Sequence, residues 1–398
     1  MAARNRWRTL FFSGVEWVPG NRLRLLQNGA EFFPALNAAI DAAEAEVHLE
    51  TYIFNADPTV ERVRDALMRA AGRGVQVRLL IDGVGSAGTL PADWLAALRA
   101  AGVGVLFYRP LVGRGWRSNP KSLRRLHRKL AVIDAQIAFV GGMNLIDDYA
   151  PVRLDAPRLD FSVEVQGPLL ASMHFNARRL WRLVALTQLQ PGRQPVPIEP
   201  RWPTDGHTRA AFVVRDNFAH RRDIERVYLA ALALARDEII LANAYFLPGR
   251  RFRTLLKKAA ARGVRVHLLV QGHTDHPFFQ TAARALYRDL LAAGVRLYEY
   301  QVSELHAKVA VVDGHWATVG SSNIDPFSLL LAREANIVVD DDAFARDLQQ
   351  RLQLAIAQSA PLDPADWQRR PWPQRMLSWL AYGGVRLMVG LSGAGRWA

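Results

Sequence analysis

His127 and Lys129 stand two residues apart, and four mostly apolar residues then lead to Asp134. The same spacing returns at His306, Lys308 and Asp313. Each copy runs on into a glycine turn that ends in asparagine, Gly141-Gly142-Met143-Asn144 and Gly320-Ser321-Ser322-Asn323, and the offset is 179 for His, Lys, Asp and Asn alike. In a strand, residues i and i+2 face the same way, so each His projects with its Lys. One such pair alone would read as a core histidine beside a lysine that snorkels to the surface. Two copies in register read as chemistry. Strands meeting about a pseudo-twofold axis would set two imidazoles and two ammonium groups around one cavity, which suits a phosphodiester. The lysines neutralise the non-bridging oxygens. One neutral imidazole attacks phosphorus while the other, protonated, gives its proton to the leaving oxygen. This scheme requires no metal and no cofactor.

The elements that must carry these residues also repeat. In the first half, a helical face over Glu31–Ala45 leads into strand Val47–Phe54, and Asp57-Pro58 opens a helix that Gly72 and Gly74 close. Strand Val75–Ile81, helix Ala92–Ala101 and strand Val103–Tyr108 follow. The second half replays the order with helix Ile224–Ala235, strand Ile239–Phe246, helix Phe252–Ala261, strand Val264–Val270, helix Ala282–Ala293 and strand Val295–Tyr300. Alternating strands and helices imply an α/β class, and the repeat implies two similar α/β/α layered halves. The reading divides the chain into a basic arm over 1–24, a first half over 25–190, a proline-rich linker over 191–205, a second half over 206–360 and an amphipathic Trp/Arg tail over 361–398.

Net charge is +14, from 51 basic and 37 acidic residues. That favours polyanionic partners, either nucleic acid or an anionic lipid surface. With no cysteine, disulfides and thiolate metal sites are excluded. No apolar run is long enough to span a bilayer. The tail mixes Trp372, Trp379, Leu380, Tyr382 and Trp397 with Arg369, Arg370, Arg375, Arg386 and Arg396, which reads as an interfacial helix or as one docked on the protein body.

Both copies match the HxKxxxxD motif of the phospholipase D superfamily, and the chain resembles that superfamily from about Asn21 to about Asp340. Within it, Leu25-Leu26-Gln27-Asn28-Gly29, Leu49-Glu50-Thr51-Tyr52-Ile53-Phe54 and Gly320-Ser321-Ser322-Asn323-Ile324-Asp325-Pro326 resemble the shorter, B-type bacterial cardiolipin synthases. The resemblance implies a phospholipase D-like pseudo-dimer and a catalytic set of His127, Lys129, Asp134, His306, Lys308 and Asp313. Asn144 and Asn323 would bind or orient phosphate. It further implies that Asp160 supports His306 and Glu334 supports His127, each acid acting across the pseudo-dimer, with His127 as nucleophile. Ala332 departs from the Asn common in relatives, and Val60 from a common Gly, so hydrogen bonding near Glu334 becomes a question for the structure.

Several smaller features accompany these. Glu50 and Tyr52 occupy alternate strand positions, whereas their counterparts Ala242 and Ala244 are apolar. They read either as substrate contacts or as a buried hydrogen-bonded pair. His273 and His276 lie in a loop at a strand end, where α/β sheets bind ligands. The corresponding loop Asp82–Gly88 offers no ligands, so substrate contact fits better than a metal. Arg114, Arg117, Lys121, Arg124, Arg125 and Arg128 form a basic stretch just ahead of His127.

Function then reads as phosphatidyl transfer between phospholipids, with phosphatidylglycerol or phosphatidylethanolamine as donor and phosphatidylglycerol as acceptor. The expected setting is peripheral, on the bacterial inner membrane, with anionic phospholipids as partners and no need of an oligomer. Hydrolysis to phosphatidate and a nuclease of the same superfamily are the competing readings. The tail argues against nucleic acid, and so does the lack of an aromatic-basic strand face for stacking bases.

Overall fold

The computed structural model describes residues 15–110, 124–150, 156–190, 197–198, 201–273 and 276–391. In the first half the elements are β1 (Val18–Gln27), α1 (Asn28–Asp41), β2 (Glu46–Thr51), α2 (Pro58–Gly72), β3 (Gln76–Asp82), α3 (Ala92–Ala100), β4 (Gly104–Tyr108), β5 (Lys129–Ile133), β6 (Ile137–Gly141), β7 (Phe161–Gln166) and α4 (Leu170–Thr187). The second half follows with β8 (Thr208–Arg215), α5 (Asp223–Leu234), β9 (Glu238–Asn243), α6 (Arg250–Ala261), β10 (Arg265–Gln271), α7 (Pro277–Ala292), β11 (Arg296–Tyr300), β12 (Lys308–Val312), β13 (Trp316–Gly320), α8 (Pro326–Leu330), β14 (Glu334–Asp340), α9 (Asp342–Ala357) and β15 (Ala360–Pro361). Two helices close the chain, α10 (Pro364–Arg369) and α11 (Trp372–Leu391).

The strands form one sheet ordered β4-β3-β2-β5-β6-β7-β1-β8-β14-β13-β12-β9-β10-β11-β15. Read outward from the β1/β8 pair, the two halves follow equivalent orders, with β15 added at one edge. The motif strands β5 and β12 hold equivalent places. β2, β3 and β4 pair in parallel, as do β9, β10 and β11, because the helices between them act as crossovers. The Asp57 carboxylate accepts from the Thr59 and Val60 N–H groups and so caps α2. Beyond the end of α2, Gly74 takes φ +90°, a left-handed conformation open to glycine.

Residues 18–24, expected in a basic arm, instead lie in β1. This strand pairs with β7 on one side and β8 on the other, so it stitches the halves together. Residues 191–196 and 199–200 of the proline-rich stretch lie outside the described residues. On one sheet face, Val132, Val163 and Val165 share a continuous core with Val309, Val311, Ile337 and Val339 beneath α4 and α9. On the other face each half keeps its own core, under α1 and α2 in the first half and under α5, α6 and α7 in the second.

Asp134 and Asp313 sit at the far ends of β5 and β12, where the chain turns with φ of 51° and 54°. Asp134 accepts from the backbone N–H groups of Glu44, Ala45 and Glu46. Asp313 does the same for Arg236, Asp237 and Glu238. Their grouping with the catalytic residues is therefore corrected: they clamp the start of the neighbouring strand and do not face the histidines. Removing such an acceptor leaves buried donors unsatisfied, at about 1–3 kcal/mol for each group. Asp134→Ala is thus expected to lower unfolding stability by about 2–4 kcal/mol, while the folded fraction keeps its kcat. Chemical denaturation alongside active-site titration checks this.

Candidate active site

β5 begins at Lys129, so His127 stands just ahead of it, in an extended segment that pairs with the opposite half. Leu126 bridges to Arg333, and Leu159 bridges to Leu305. The N–H of His127 donates to the Arg333 carbonyl at 2.9 Å, and that of His306 donates to the Leu159 carbonyl at 2.9 Å. This backbone register brings each histidine beside the acid of the other half. His127 Nδ1 lies 2.9 and 3.1 Å from the two Glu334 carboxylate oxygens. His306 Nδ1 lies 2.6 Å from Asp160 Oδ2. An ionised carboxylate can only accept, so each acid favours the tautomer that carries its proton on Nδ1 and leaves Nε2 unprotonated.

The glycine turns set the space for these acids. A Cβ at Gly142 would overlap the Asp160 carboxylate. The equivalent residue in the second half is Ser321, whose hydroxyl donates to Glu334. Glu334 is therefore held by His127 and Ser321, which answers the question raised by Ala332. The Ala332 carbonyl in turn accepts from Arg215 at 2.5 Å. Neither Ser321 nor Arg215 stood out in the sequence; the in-register contrast of Gly142 with Ser321 was the available signal.

Lys129 Nζ donates to the His127 carbonyl at 2.6 Å. Lys308 Nζ lies 2.8 Å from His306 Nδ1 and 3.9 Å from Asp160. Burial pushes Lys129 down to about 7 and Lys308 down to about 8. Burial also holds His127 below the ordinary imidazole range, against the pull of Glu334. His306 is driven well below it by burial, then by the Lys308, Arg158 and Lys129 cations. Asp160 is raised by burial to about 6. The site thus favours neutral imidazoles at neutral pH, with lysines that lose charge as pH climbs through 7 to 8. Each cation is present below its pKa and lost above it, and Asp160 is ionised above about 6. The pH profile of kcat/KM is expected to be a bell with its acid limb near 6 and its alkaline limb between 7 and 8, since kcat/KM reports the free enzyme. The alkaline limb of kcat should sit higher, because a bound phosphate anion stabilises the ammonium groups.

The asparagines hold the loops that follow β2 and β9. Asn144 Oδ1 accepts from the Ile53 N–H at 3.2 Å, and Asn323 Oδ1 from the Tyr245 N–H at 3.4 Å. Glu50 is buried in an ion pair with Arg128, one arm at 2.6 Å, so its reading as a substrate contact is corrected. Arg128 points away from its neighbours His127 and Lys129, as strand alternation requires. Tyr52 remains at the site. Its ring lies 5.1 Å from the His127 ring, with Lys129 Nζ 5.5 Å from its centroid. His276 lines the cavity beside His127, whereas His273 bonds the Gln301 carbonyl at 3.0 Å. Residues 111–123 of the basic stretch, and Thr274 and Asp275, lie outside the described residues.

Among the described residues, Glu46, His48 and His174 group as metal ligands would. The Glu46 carboxylate already binds Arg78, Arg178 and His174. Two guanidinium groups at one carboxylate make this a buried ion network rather than a cation site.

α11 docks on the protein body along one face. Ala381, Tyr382, Val385 and Val389 are buried in the core that includes α7. The opposite face exposes Trp372, Leu377, Trp379 (55%), Leu380 (64%), Leu387 and Leu391. No helix among the described residues is long and apolar enough to cross a membrane.

Known proteins resemble this chain in sequence and in fold. Residues 36–155 and 228–355 match the family model described as cardiolipin synthase, phospholipase D-like domain. The chain is 40% identical over 389 residues to cardiolipin synthase B of Escherichia coli (strain K12), covering 95% of this chain and 91% of the relative. It is 32% identical to cardiolipin synthase A of Serratia proteamaculans (strain 568), covering 93% and 76% respectively. In fold it is similar to the crystal structure of phosphatidylserine synthase from Haemophilus influenzae Rd KW20, with a TM-score of 0.68 at 14% identity and 98% of both chains covered. With twin His–Lys motifs on equivalent strands and a match that spans both halves, the chain belongs to the phospholipase D-like cardiolipin synthase family.

Proposed function

We propose that the protein synthesises cardiolipin by phosphatidyl transfer at a membrane surface. The observation that carries this is the crossed pairing of His127 with Glu334 and of His306 with Asp160. His127 Nε2 attacks the phosphorus of a donor phospholipid, phosphatidylglycerol or phosphatidylethanolamine. The bond from phosphorus to the head-group oxygen breaks as His306 protonates that oxygen. A hydroxyl of phosphatidylglycerol then attacks the phosphatidyl-histidine, His306 takes its proton, and the phosphorus–nitrogen bond breaks to release cardiolipin and free His127. Lys129 and Lys308 neutralise the non-bridging oxygens throughout, and Asn144 and Asn323 orient them. Burial and the neighbouring cations make His306 a weak base; a bound phosphate anion restores its hold on a proton.

The outer face of α11 supports a peripheral position on the bacterial inner membrane. A water-facing helix side would be polar, and a contiguous apolar patch marks an interaction surface. Arg375 and Arg386 on the same helix suit anionic head groups. Incubating the protein with phosphatidylglycerol vesicles and reading lipids by mass spectrometry tests the proposal. Cardiolipin with glycerol supports transfer, phosphatidate alone overturns it in favour of hydrolysis, and inert lipid with cleaved DNA overturns it in favour of a nuclease. Replacing Trp379 and Leu380 together by Glu is expected to weaken co-sedimentation with anionic vesicles by at least about tenfold, because both side chains leave the acyl boundary. Unchanged sedimentation of the folded variant would remove α11 from the membrane contact.

A further inference from the structure

The two halves differ at three equivalent positions around the histidines. Tyr52 follows β2 where Ala244 follows β9. Asp82 ends β3 where Gln271 ends β10. Arg125 stands two residues before His127, and Glu304 two residues before His306. In the first half these side chains fill the space. Arg125 Nε donates to Asp82 Oδ1 at 3.0 Å, the Leu126 N–H donates to Asp82 Oδ2 at 2.8 Å, and the Tyr52 ring closes on His127. In the second half Glu304 turns away to Arg158 at 3.1 Å, and Ala244 has no ring.

What opens there is a cavity of about 330 Å³ that starts at His127 and runs between Phe246, Val270, Phe279, Ala283, Tyr287 and Phe327. Its walls are mainly aromatic and aliphatic, with Gln271, Gln280 and Asn323 among the polar groups that line it. Gln271 lies in its wall, 4% exposed, with its Nε2 amide unpaired among the described residues. A buried donor without an acceptor is costly, and an acceptor arriving with a ligand would satisfy it. Phe279, Ala283 and Tyr287 belong to α7, which also seats the apolar-faced α11. The Tyr287 ring lies 5.5 Å from the Trp367 ring, just before α11.

We propose that this cavity receives one acyl chain of the phosphatidyl donor, with the Gln271 amide in its wall donating to a glycerol-ester oxygen; this rests on the phosphatidyl-transfer reading above. The cavity flanks the nucleophile, and it does not include His306, where the head group departs. What it holds therefore stays on the enzyme after the first step. A chain seated there keeps the phosphatidyl-histidine in place and covers it from water while the second lipid arrives. Among the described residues the first-half counterpart of this space is taken up by Tyr52, Asp82 and Arg125, so the pseudo-symmetric site acquires one donor side.

Photolabelling of the full-length protein tests this, using vesicles that contain phosphatidylglycerol with a diazirine midway along one acyl chain. Label is expected on the 279–287 segment of α7. It should fall at least several-fold in Ala244→Tyr, which rebuilds the first-half side chain, and in Ala283→Phe; circular dichroism confirms that each variant is folded. Label confined to α11, or equal labelling in a folded variant, overturns the proposal. Labelling needs no turnover, so a protein labelled on α7 that released only phosphatidate would support the cavity assignment while overturning transfer. A second measurement concerns Gln271. Wild type should prefer diester over diether phosphatidylglycerol by about tenfold in kcat/KM, and Gln271→Leu should lose that preference. A wild type indifferent to the ester carbonyls overturns the role of Gln271.

Discussion

His127→Ala is expected to abolish the covalent phosphatidyl-enzyme and to lower cardiolipin formation by at least about 10⁴-fold. Acid–base help from one histidine accounts for about 10²- to 10⁴-fold, and here the nucleophile disappears with it. The substitution removes the imidazole whose Nδ1 binds Glu334, and with it the Nε2 assigned to the attack. Rapid quenching with phosphate-labelled phosphatidylglycerol, followed by peptide mapping, reads the intermediate directly. His306→Ala should lower turnover too, yet a donor with an activated leaving group should still load His127 in that variant. Intermediate trapped on His306 in the His127→Ala protein would exchange the two roles.

Glu334→Gln comes next in size. The carboxylate holds the His127 proton on Nδ1, and an amide at that place can present its N–H₂ and favour the opposite tautomer. Loss of the right tautomer in an otherwise intact site costs about 10⁴-fold in a catalytic triad, and a drop of about 10³- to 10⁴-fold is expected here. Ser321 remains to hold the substituted side chain in place. Asp160→Asn should be similarly damaging with natural lipids, because it misorients His306. The two variants separate with an aryl phosphodiester, whose leaving group needs no proton. That substrate should restore the first step in Asp160→Asn and leave Glu334→Gln slow. Equal rescue of both would mean that the crossed acids do not serve different histidines.

Much of this was open to reading along the chain. Strict in-register repetition betrayed the motif strands, and the periodicity of Val60, Val63 and Leu67 with Asp57-Pro58 ahead of them marked α2 to within a residue. β1 is hard to read because Arg22 and Arg24 alternate with apolar residues in a strand that has one polar face, so it resembles a charged arm. α4 and α9 lie outside the alternating pattern and gave no repeat to follow. Asp134 and Asp313 were misgrouped for a physical reason. A carboxylate invariant in spacing after a strand can be either a reactive group or a turn clamp, and spacing alone cannot tell which way a left-handed residue aims its side chain.

Residue order alone determined the chemistry offered: two imidazoles, two ammonium groups and a duplicated α/β frame to carry them, because local periodicity and spacing are properties of the chain. Tertiary structure decided which acid meets which histidine, since the Leu126–Arg333 and Leu159–Leu305 bridges join segments far apart in sequence. It also decided which half stays open. Tyr52 and Ala244 differ visibly in the sequence, but whether the missing ring leaves a cavity depends on how α7, α8 and their neighbours pack around it, and packing is a property of the folded whole.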